Sequence, residues 1–179
     1  MLRAAYAAVL ALTLVQPACA GDEPLTTATE RGKVRVVTAA QGLQHPWGMA
    51  FLPDGRLLVT ERPGRLRIIA VDGSLGPALE GLPPVAVTGQ GGLLDVAVDP
   101  DFRTNQLVYW SYAEPREGGN GTAVARGRLT ERGLADVQVI FRQDVTIDGR
   151  HHFGSRLVFG RDGRLFITLG DRNSERARA

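Results

Sequence analysis

The segment Met49-Ala50-Phe51-Leu52-Pro53-Asp54-Gly55-Arg56-Leu57-Leu58-Val59-Thr60 returns later as Leu157-Val158-Phe159-Gly160-Arg161-Asp162-Gly163-Arg164-Leu165-Phe166-Ile167-Thr168. Each copy is an apolar strand, an Asp-Gly turn and a second apolar strand. Asp-Gly suits a tight two-residue hairpin, in which both central positions take positive φ. A looser copy lies between them, with Leu94-Asp95-Val96-Ala97-Val98-Asp99-Pro100-Asp101-Phe102 turning into Leu107-Val108-Tyr109-Trp110-Ser111. The outer copies stand about two units of ~50 residues apart, the size of a four-stranded propeller blade. A β-sandwich also repeats hairpins, but here the likeness crosses the turn and enters both flanking strands. The sequence reads as all-β and, in architecture, as a β-propeller.

The rest of the chain agrees. Gly and Pro punctuate it every few residues, and the runs between are short and rich in Val, Ile, Leu and Thr. Strands are expected at 34–38, 47–52, 57–61, 66–71, 93–98, 107–112, 123–129, 138–142, 156–159 and 165–169, with almost no helix. The propeller segment, 32–179, holds roughly three blades, whereas closure takes about four to eight. Three blades leave open sheet edges. The chain therefore reads as the N-terminal part of a longer protein.

Residues 1–20 have the parts of a secretory signal: Arg3, an apolar run from Ala4 to Val15, and Ala18-Cys19-Ala20 for cleavage after Ala20. Residues 21–31 are polar and without periodicity, which suits a linker. The expected location is periplasmic or secreted. Cleavage removes Cys19, the only cysteine; lipidation at Cys19 is the competing fate, which Gln16 and Pro17 fit poorly. No later run reaches the ~20 apolar residues of a transmembrane segment. Without Arg3, 20 Lys and Arg face 19 Asp and Glu. The arginines form no basic run, so nothing calls for nucleic acid.

Two elements could carry chemistry. Thr88-Gly89-Gln90-Gly91-Gly92 precedes a strand; its glycines permit close backbone approach to a ligand, and Gln90 offers a donor and an acceptor. No helix follows, so it is not a dinucleotide fingerprint. The second element is His152, on the turn His152-Phe153-Gly154-Ser155-Arg156, with Asp171 closing Thr168-Leu169-Gly170-Asp171. If the intervening runs pair as a hairpin, histidine and carboxylate return to one end of it. A carboxylate that accepts from one imidazole nitrogen leaves the other free to take a proton. His151 competes for that role. His45, His151 and His152 have no zinc-like spacing, and Asp99-Pro100-Asp101 reads as turn chemistry rather than a calcium site with Asp95.

Taken in series, His45-Pro46-Trp47-Gly48-Met49-Ala50-Phe51-Leu52-Pro53-Asp54-Gly55-Arg56-Leu57, Glu61-Arg62-Pro63-Gly64-Arg65-Leu66, Gly89-Gln90-Gly91-Gly92-Leu93-Leu94-Asp95, Asp99-Pro100-Asp101-Phe102 and His152-Phe153-Gly154-Ser155-Arg156-Leu157 resemble the glucose/sorbosone dehydrogenase family. Within it, the chain is most similar to the bacterial aldose sugar dehydrogenases that use pyrroloquinoline quinone (PQQ). The match runs from about Val34 to Asp171. The resemblance implies a six-bladed propeller with PQQ near its axis and calcium beneath the quinone, oxidising the C1 hydroxyl of an aldose sugar to a lactone. It implies hydride transfer from C1 to the quinone C5 with His152 as general base, Asp171 orienting it, Gln90 and His152 lining the quinone pocket, and an external electron acceptor. The family's other quinone-binding residues and its calcium ligands come from later blades, so the chain alone is expected to be inactive. A non-catalytic propeller that binds partners at its rim, and a metal-dependent lactonase-type propeller, are the alternatives.

Overall fold

The structure, a computed structural model, describes residues 25–144 and 146–173. The proposed signal and Cys19 lie outside the described residues. The chain divides into two compact units, residues up to Thr38 and from Ala39 onward. In the first, β1 (Leu25–Thr29) and β2 (Gly32–Val36) pair antiparallel as an exposed hairpin. The stretch read as a linker thus carries a strand. Its threonines are β-branched, and Thr29 Oγ1 donates to the Gly32 carbonyl across the turn.

The second unit is built of antiparallel sheets. The first sheet has four strands in the order β3 (Pro46–Phe51), β4 (Leu57–Glu61), β5 (Arg65–Ile69) and β6 (Leu75–Ala78). The second sheet repeats the pattern with β7 (Leu93–Val98), β8 (Leu107–Arg116), β9 (Gly119–Leu129) and β10 (Leu134–Arg142). A one-turn helix, α1 (Phe102–Asn105), sits between β7 and β8. A hairpin of β11 (Gly154–Phe159) and β12 (Leu165–Leu169) begins a third sheet. These are propeller blades in sequential order: two complete sheets and the opening hairpin of a third, where the sequence suggested roughly three.

The first strand of each blade lies inside, with β7 in contact with both β3 and β11. The middle sheet is covered on both faces. Leu58, Leu66, Val96, Val108 and Trp110 form the main core between the first two sheets, and Tyr109, Val124 and Leu157 form a second toward the hairpin. Tyr109 meets Phe159 edge to face at 5.1 Å. Two-sided burial explains why β7 and β8 are mostly apolar on both faces, interrupted inside by Asp95 and Ser111, while edge strand β10 alternates.

The Asp-Gly turns differ from the two-residue expectation. Gly55, Gly73 and Gly163 have φ of 90°, 85° and 78°, whereas no preceding aspartate has positive φ. In each, the glycine N–H donates to the residue three back, at 3.0, 2.9 and 3.1 Å. This is the three-residue hairpin, a type I turn closed by a left-handed glycine. Asp54, Asp72 and Asp162 each accept the N–H two residues on, the hydrogen bond that selects aspartate there.

A second repeat lies at the other end of the strands. Every inner strand is bulged at its start, and regular pairing resumes at Met49, Val96 and Leu157. One residue earlier stand Gly48, Asp95 and Arg156, whose N–H groups donate to Thr60 Oγ1 at 2.8 Å, Ser111 Oγ at 2.9 Å and Thr168 Oγ1 at 2.9 Å. Thr60 and Ser111 donate onward to the next inner strand, at the Leu94 and Ser155 carbonyls. The hydroxyl satisfies the donor that the bulge releases and ties one blade to the next.

Thr60→Val keeps the shape and removes the hydroxyl, leaving the Gly48 N–H and the Leu94 carbonyl short of a buried partner. The expected loss is about 1–3 kcal/mol, seen as a lower urea midpoint at unchanged slope. An unchanged midpoint would show that the relay contributes nothing.

Candidate active site

The bulged end of the inner strands gathers the chemistry that the sequence singled out. His152 Nδ1 lies 2.6 Å from Asp171 Oδ1, within hydrogen-bond distance, and the Asn173 N–H donates to Asp171 Oδ1 at 2.9 Å. The imidazole is 48% exposed and the carboxylate 28%, so the pair is open to a ligand. Gln90 arrives from the preceding blade. Its Oε1 accepts the His152 N–H at 2.8 Å, and its own N–H donates to the Arg150 carbonyl at 2.8 Å. All three residues singled out in the sequence therefore meet. His151 stands beside them, its ring 6.4 Å from that of His152.

Equivalent backbone bonds show what is special here. The Arg62 N–H donates to the His45 carbonyl, Ala113 to Gly92, and Arg172 to His152. One residue separates Thr60 from Arg62 and Ser111 from Ala113, but three separate Thr168 from Arg172. Gly170 and Asp171 thus fill an enlarged arch on the third blade, and the carboxylate rides on the enlargement. The arch is held in sparsely populated conformations: φ is 49° at His152, 89° at Ser155, 50° at Arg172 and 67° at Asn173.

In the glycine loop the close approach is to the chain itself. A Cβ on Gly91 would come within 2.7 Å of the Phe153 ring, and one on Gly89 would collide with Arg150. The glycines let the loop lie against the chain's own 150–153 segment. Arg62 fastens the loop from outside, its Nη1 donating to the Gly89 carbonyl.

Sequence reasoning missed three supporting residues. Asp95 is buried, accepting from Arg156 Nη1 at 2.9 Å and the Leu157 N–H at 2.8 Å. Arg172 is 2% exposed, with its guanidinium 3.9 Å from the centre of the Phe153 ring; burial pushes it down from the usual arginine range, and the Arg116 charge adds to this. Glu61 is fully buried and bonds Arg65 Nε at 2.6 Å and the Gln44 N–H. The available signal was positional: Thr60, Ser111 and Thr168 close the three copies, and Glu61 and Asp95 adjoin them or their partners.

Among the described residues no three His, Cys, Asp or Glu come together to hold a metal ion. No helix among them is long and apolar enough to cross a membrane. A cleft of about 260 Å³ lined by Arg56, Phe102 and Gln106 lies at the Asp-Gly turn end, away from the dyad.

A sequence profile for glucose/sorbosone dehydrogenases matches residues 43–179, starting later than the expected Val34 and running past Asp171. The chain is 43% identical over 144 residues to an aldose sugar dehydrogenase of Escherichia coli, covering 78% of this chain and 39% of that protein. The solved apo form of the E. coli soluble aldose sugar dehydrogenase matches with a TM-score of 0.68. The PQQ-bound aldose sugar dehydrogenase of Streptomyces coelicolor matches at 28% identity with a TM-score of 0.67, over 85% of this chain and 43% of that one. Human Hedgehog-interacting protein is 31% identical over 147 residues, covering 73% of this chain and 21% of that protein. The chain thus spans less than half the length of these relatives.

Glu61 makes acid stability a test of the site's outer frame. Burial alone would raise its pKa, but the Arg65 hydrogen bond, the Gln44 N–H and the Arg65 and Arg67 charges together hold it below its ordinary 4.5. A depressed folded value stabilises the protein above about pH 4.5, and that contribution is lost as pH falls through the lower folded value. Urea midpoints should fall more steeply with acid in the wild type than in Glu61→Gln. Parallel curves would remove Glu61 from this role.

Proposed function

Because the chain belongs to the glucose/sorbosone dehydrogenase family, we propose that it serves PQQ-dependent oxidation of an aldose at the C1 hydroxyl, giving the lactone. His152 is the general base and Asp171 its orienting carboxylate. The observation that carries this reading is the 2.6 Å bond between His152 Nδ1 and Asp171 Oδ1. On this reading the carboxylate, which can only accept, takes the hydrogen bond from Nδ1–H of the neutral ring, and the Nε2 lone pair accepts the hydroxyl proton. When the proton leaves for Nε2, the imidazolium that forms stays beside the carboxylate, and alkoxide character builds on the C1 hydroxyl oxygen. The Asn173 N–H and the His152 N–H bond to Gln90 hold both halves of the pair against rotation.

The donor set suits a planar quinone rich in carbonyl oxygens. Gln90 Oε1 is occupied by the His152 N–H, which fixes the amide oxygen and leaves the Nε2 hydrogens to donate to a ligand. Bound PQQ would supply the two-electron acceptor for the C1 hydride. Turnover then requires an external electron acceptor. The reading extends to a periplasmic or secreted location through the signal at residues 1–20. It concerns the complete protein, since the chain spans 39% of the E. coli relative.

In the complete gene product, His152→Asn should lower kcat about 10²–10⁴-fold. Asp171→Asn, whose amide can stabilise the opposite tautomer, should lower it about 10²-fold or more, with a smaller change in the KM for sugar. Dye reduction with PQQ and an aldose measures both, and near-wild-type kcat in His152→Asn would sink the assignment. The similarity to Hedgehog-interacting protein favours a second reading, a propeller whose rim binds a protein partner. On that reading the two variants leave partner capture intact, and the wild type oxidises no sugar.

A further inference from the structure

We propose that Arg172 is a positioning residue for His152, clamping the loop that carries the imidazole so that the ring stays registered on Asp171. Its side chain reaches back beneath that loop. Nε donates to the His151 carbonyl at 3.1 Å, and Nη2 to the Gly149 carbonyl at 3.0 Å and to Asn120 Oδ1 at 2.6 Å. Nη1 faces the Asn120 carbonyl at 3.4 Å. The Arg172 N–H donates to the His152 carbonyl at 3.2 Å. One residue therefore holds the backbone immediately before His152, the His152 peptide itself, and the far end of the β8–β9 hairpin.

The partners explain why an arginine is needed. All its acceptors are neutral carbonyl or amide oxygens spread over two segments, and a planar guanidinium can reach them together, whereas an ammonium cannot. Its lower face is closed by the Phe153 ring, which packs with buried Leu94 and Ala113. Asn120 is itself fixed, since its Nδ2 donates to the Gly149 carbonyl at 3.1 Å and its backbone pairs with Ile147. The clamp thus refers the imidazole to the middle blade rather than to its own hairpin. That matters because residues 152–155 carry left-handed conformations at His152, Gly154 and Ser155, which an unsupported loop would relax. Asp171 and Asn173 flank Arg172 in sequence, so the same anchor sets the carboxylate and the N–H that holds it.

The role rests on reading His152 as the base, and the test separates the two. Histidine-labelled wild-type protein should show one fixed His152 tautomer by nitrogen NMR, protonated at Nδ1, with the signals assigned through His152→Asn. Arg172→Gln and Arg172→Lys should bring the two ring nitrogen signals together through tautomer averaging, and Asn120→Ala should do so partly. In the complete protein with PQQ, kcat should fall about 10–100-fold in both arginine variants, with the KM for sugar within about threefold. Failure of lysine to rescue would support the fork rather than the charge. Unchanged nitrogen signals or unchanged kcat in folded Arg172→Gln would overturn the proposal. So would loss of fold in all three clamp variants, which would make Arg172 a core residue only. A fixed tautomer released by the variants, in a protein that oxidises no sugar, would sink the dehydrogenase reading and leave the positioning role standing.

Discussion

The buried carboxylate of Asp95 is the point on which the placement of the candidate site depends. At 1% exposure it has lost nearly all water, and an uncompensated charge there would cost several kcal/mol. It is compensated by β11 alone: the Arg156 guanidinium on one oxygen and the Leu157 N–H on the other. The backbone bond matters more for register than for energy, because a slip of one residue would offer the carboxylate a different donor and turn every β11 side chain to the other face. Gly48 completes the arrangement. A Cβ there would stand 2.8 Å from Asp95 Oδ1, so the glycine on β3 gives the carboxylate its room. Three repeat-equivalent positions, Gly48, Asp95 and Arg156, have become a space, an acid and a base that interlock.

The same repeat logic explains how a quasi-symmetric array produces one site. The loop position that accepts the N–H of the following strand is His45 in the first blade, Gly92 in the second and His152 in the third. Only the third has the two additional residues that bring a carboxylate to the imidazole. The bulges and hydroxyl relays are shared, so they are a property of stacking the blades. The enlarged arch is not shared, and it is where left-handed backbone concentrates. Strain gathered at one copy of a repeated element, and supported by Arg172 beneath and Gln90 beside, is the pattern expected where geometry has been set for chemistry.

Much of this was legible in the sequence, and the boundary between legible and hidden has physical causes. Strand runs such as 57–61, 93–98 and 165–169 appear as expected because burial of one or both faces writes itself into local composition. The meeting of His152 and Asp171 followed from hairpin pairing, a local contact. The turn geometry did not, because Asp-Gly serves both hairpin types and only the φ of the aspartate separates them. Strand β6 was missed because Leu75-Gly76-Pro77-Ala78 has no strand composition and pairs at an edge, where proline is tolerated. Asp95, Arg62 and Arg172 were hidden for another reason. Their partners are distant in sequence and mostly backbone atoms, which carry no residue code.

The covering of the sheets is uneven, and this bears on how the site is preorganised. The middle sheet is packed on both faces. On β3, Met49 and Phe51 are exposed, and on the β11–β12 hairpin Val158 and Phe166 are exposed, so these elements are packed on one side only. A two-stranded hairpin is marginal by itself, yet it carries His152 and delivers Asp171. Its order must come from the side facing the middle blade: Tyr109 against Phe159, Ser111 on the Ser155 carbonyl, Asp95 on Arg156 and Leu157, Thr122 Oγ1 on the Phe153 carbonyl at 2.9 Å. Apart from Phe159, the residues these contacts reach lie between Phe153 and Leu157, next to the imidazole in sequence. The accuracy of the dyad is therefore set by the best-packed sheet of the unit, acting across the interface, and the exposed hairpin serves as the surface on which that order is displayed.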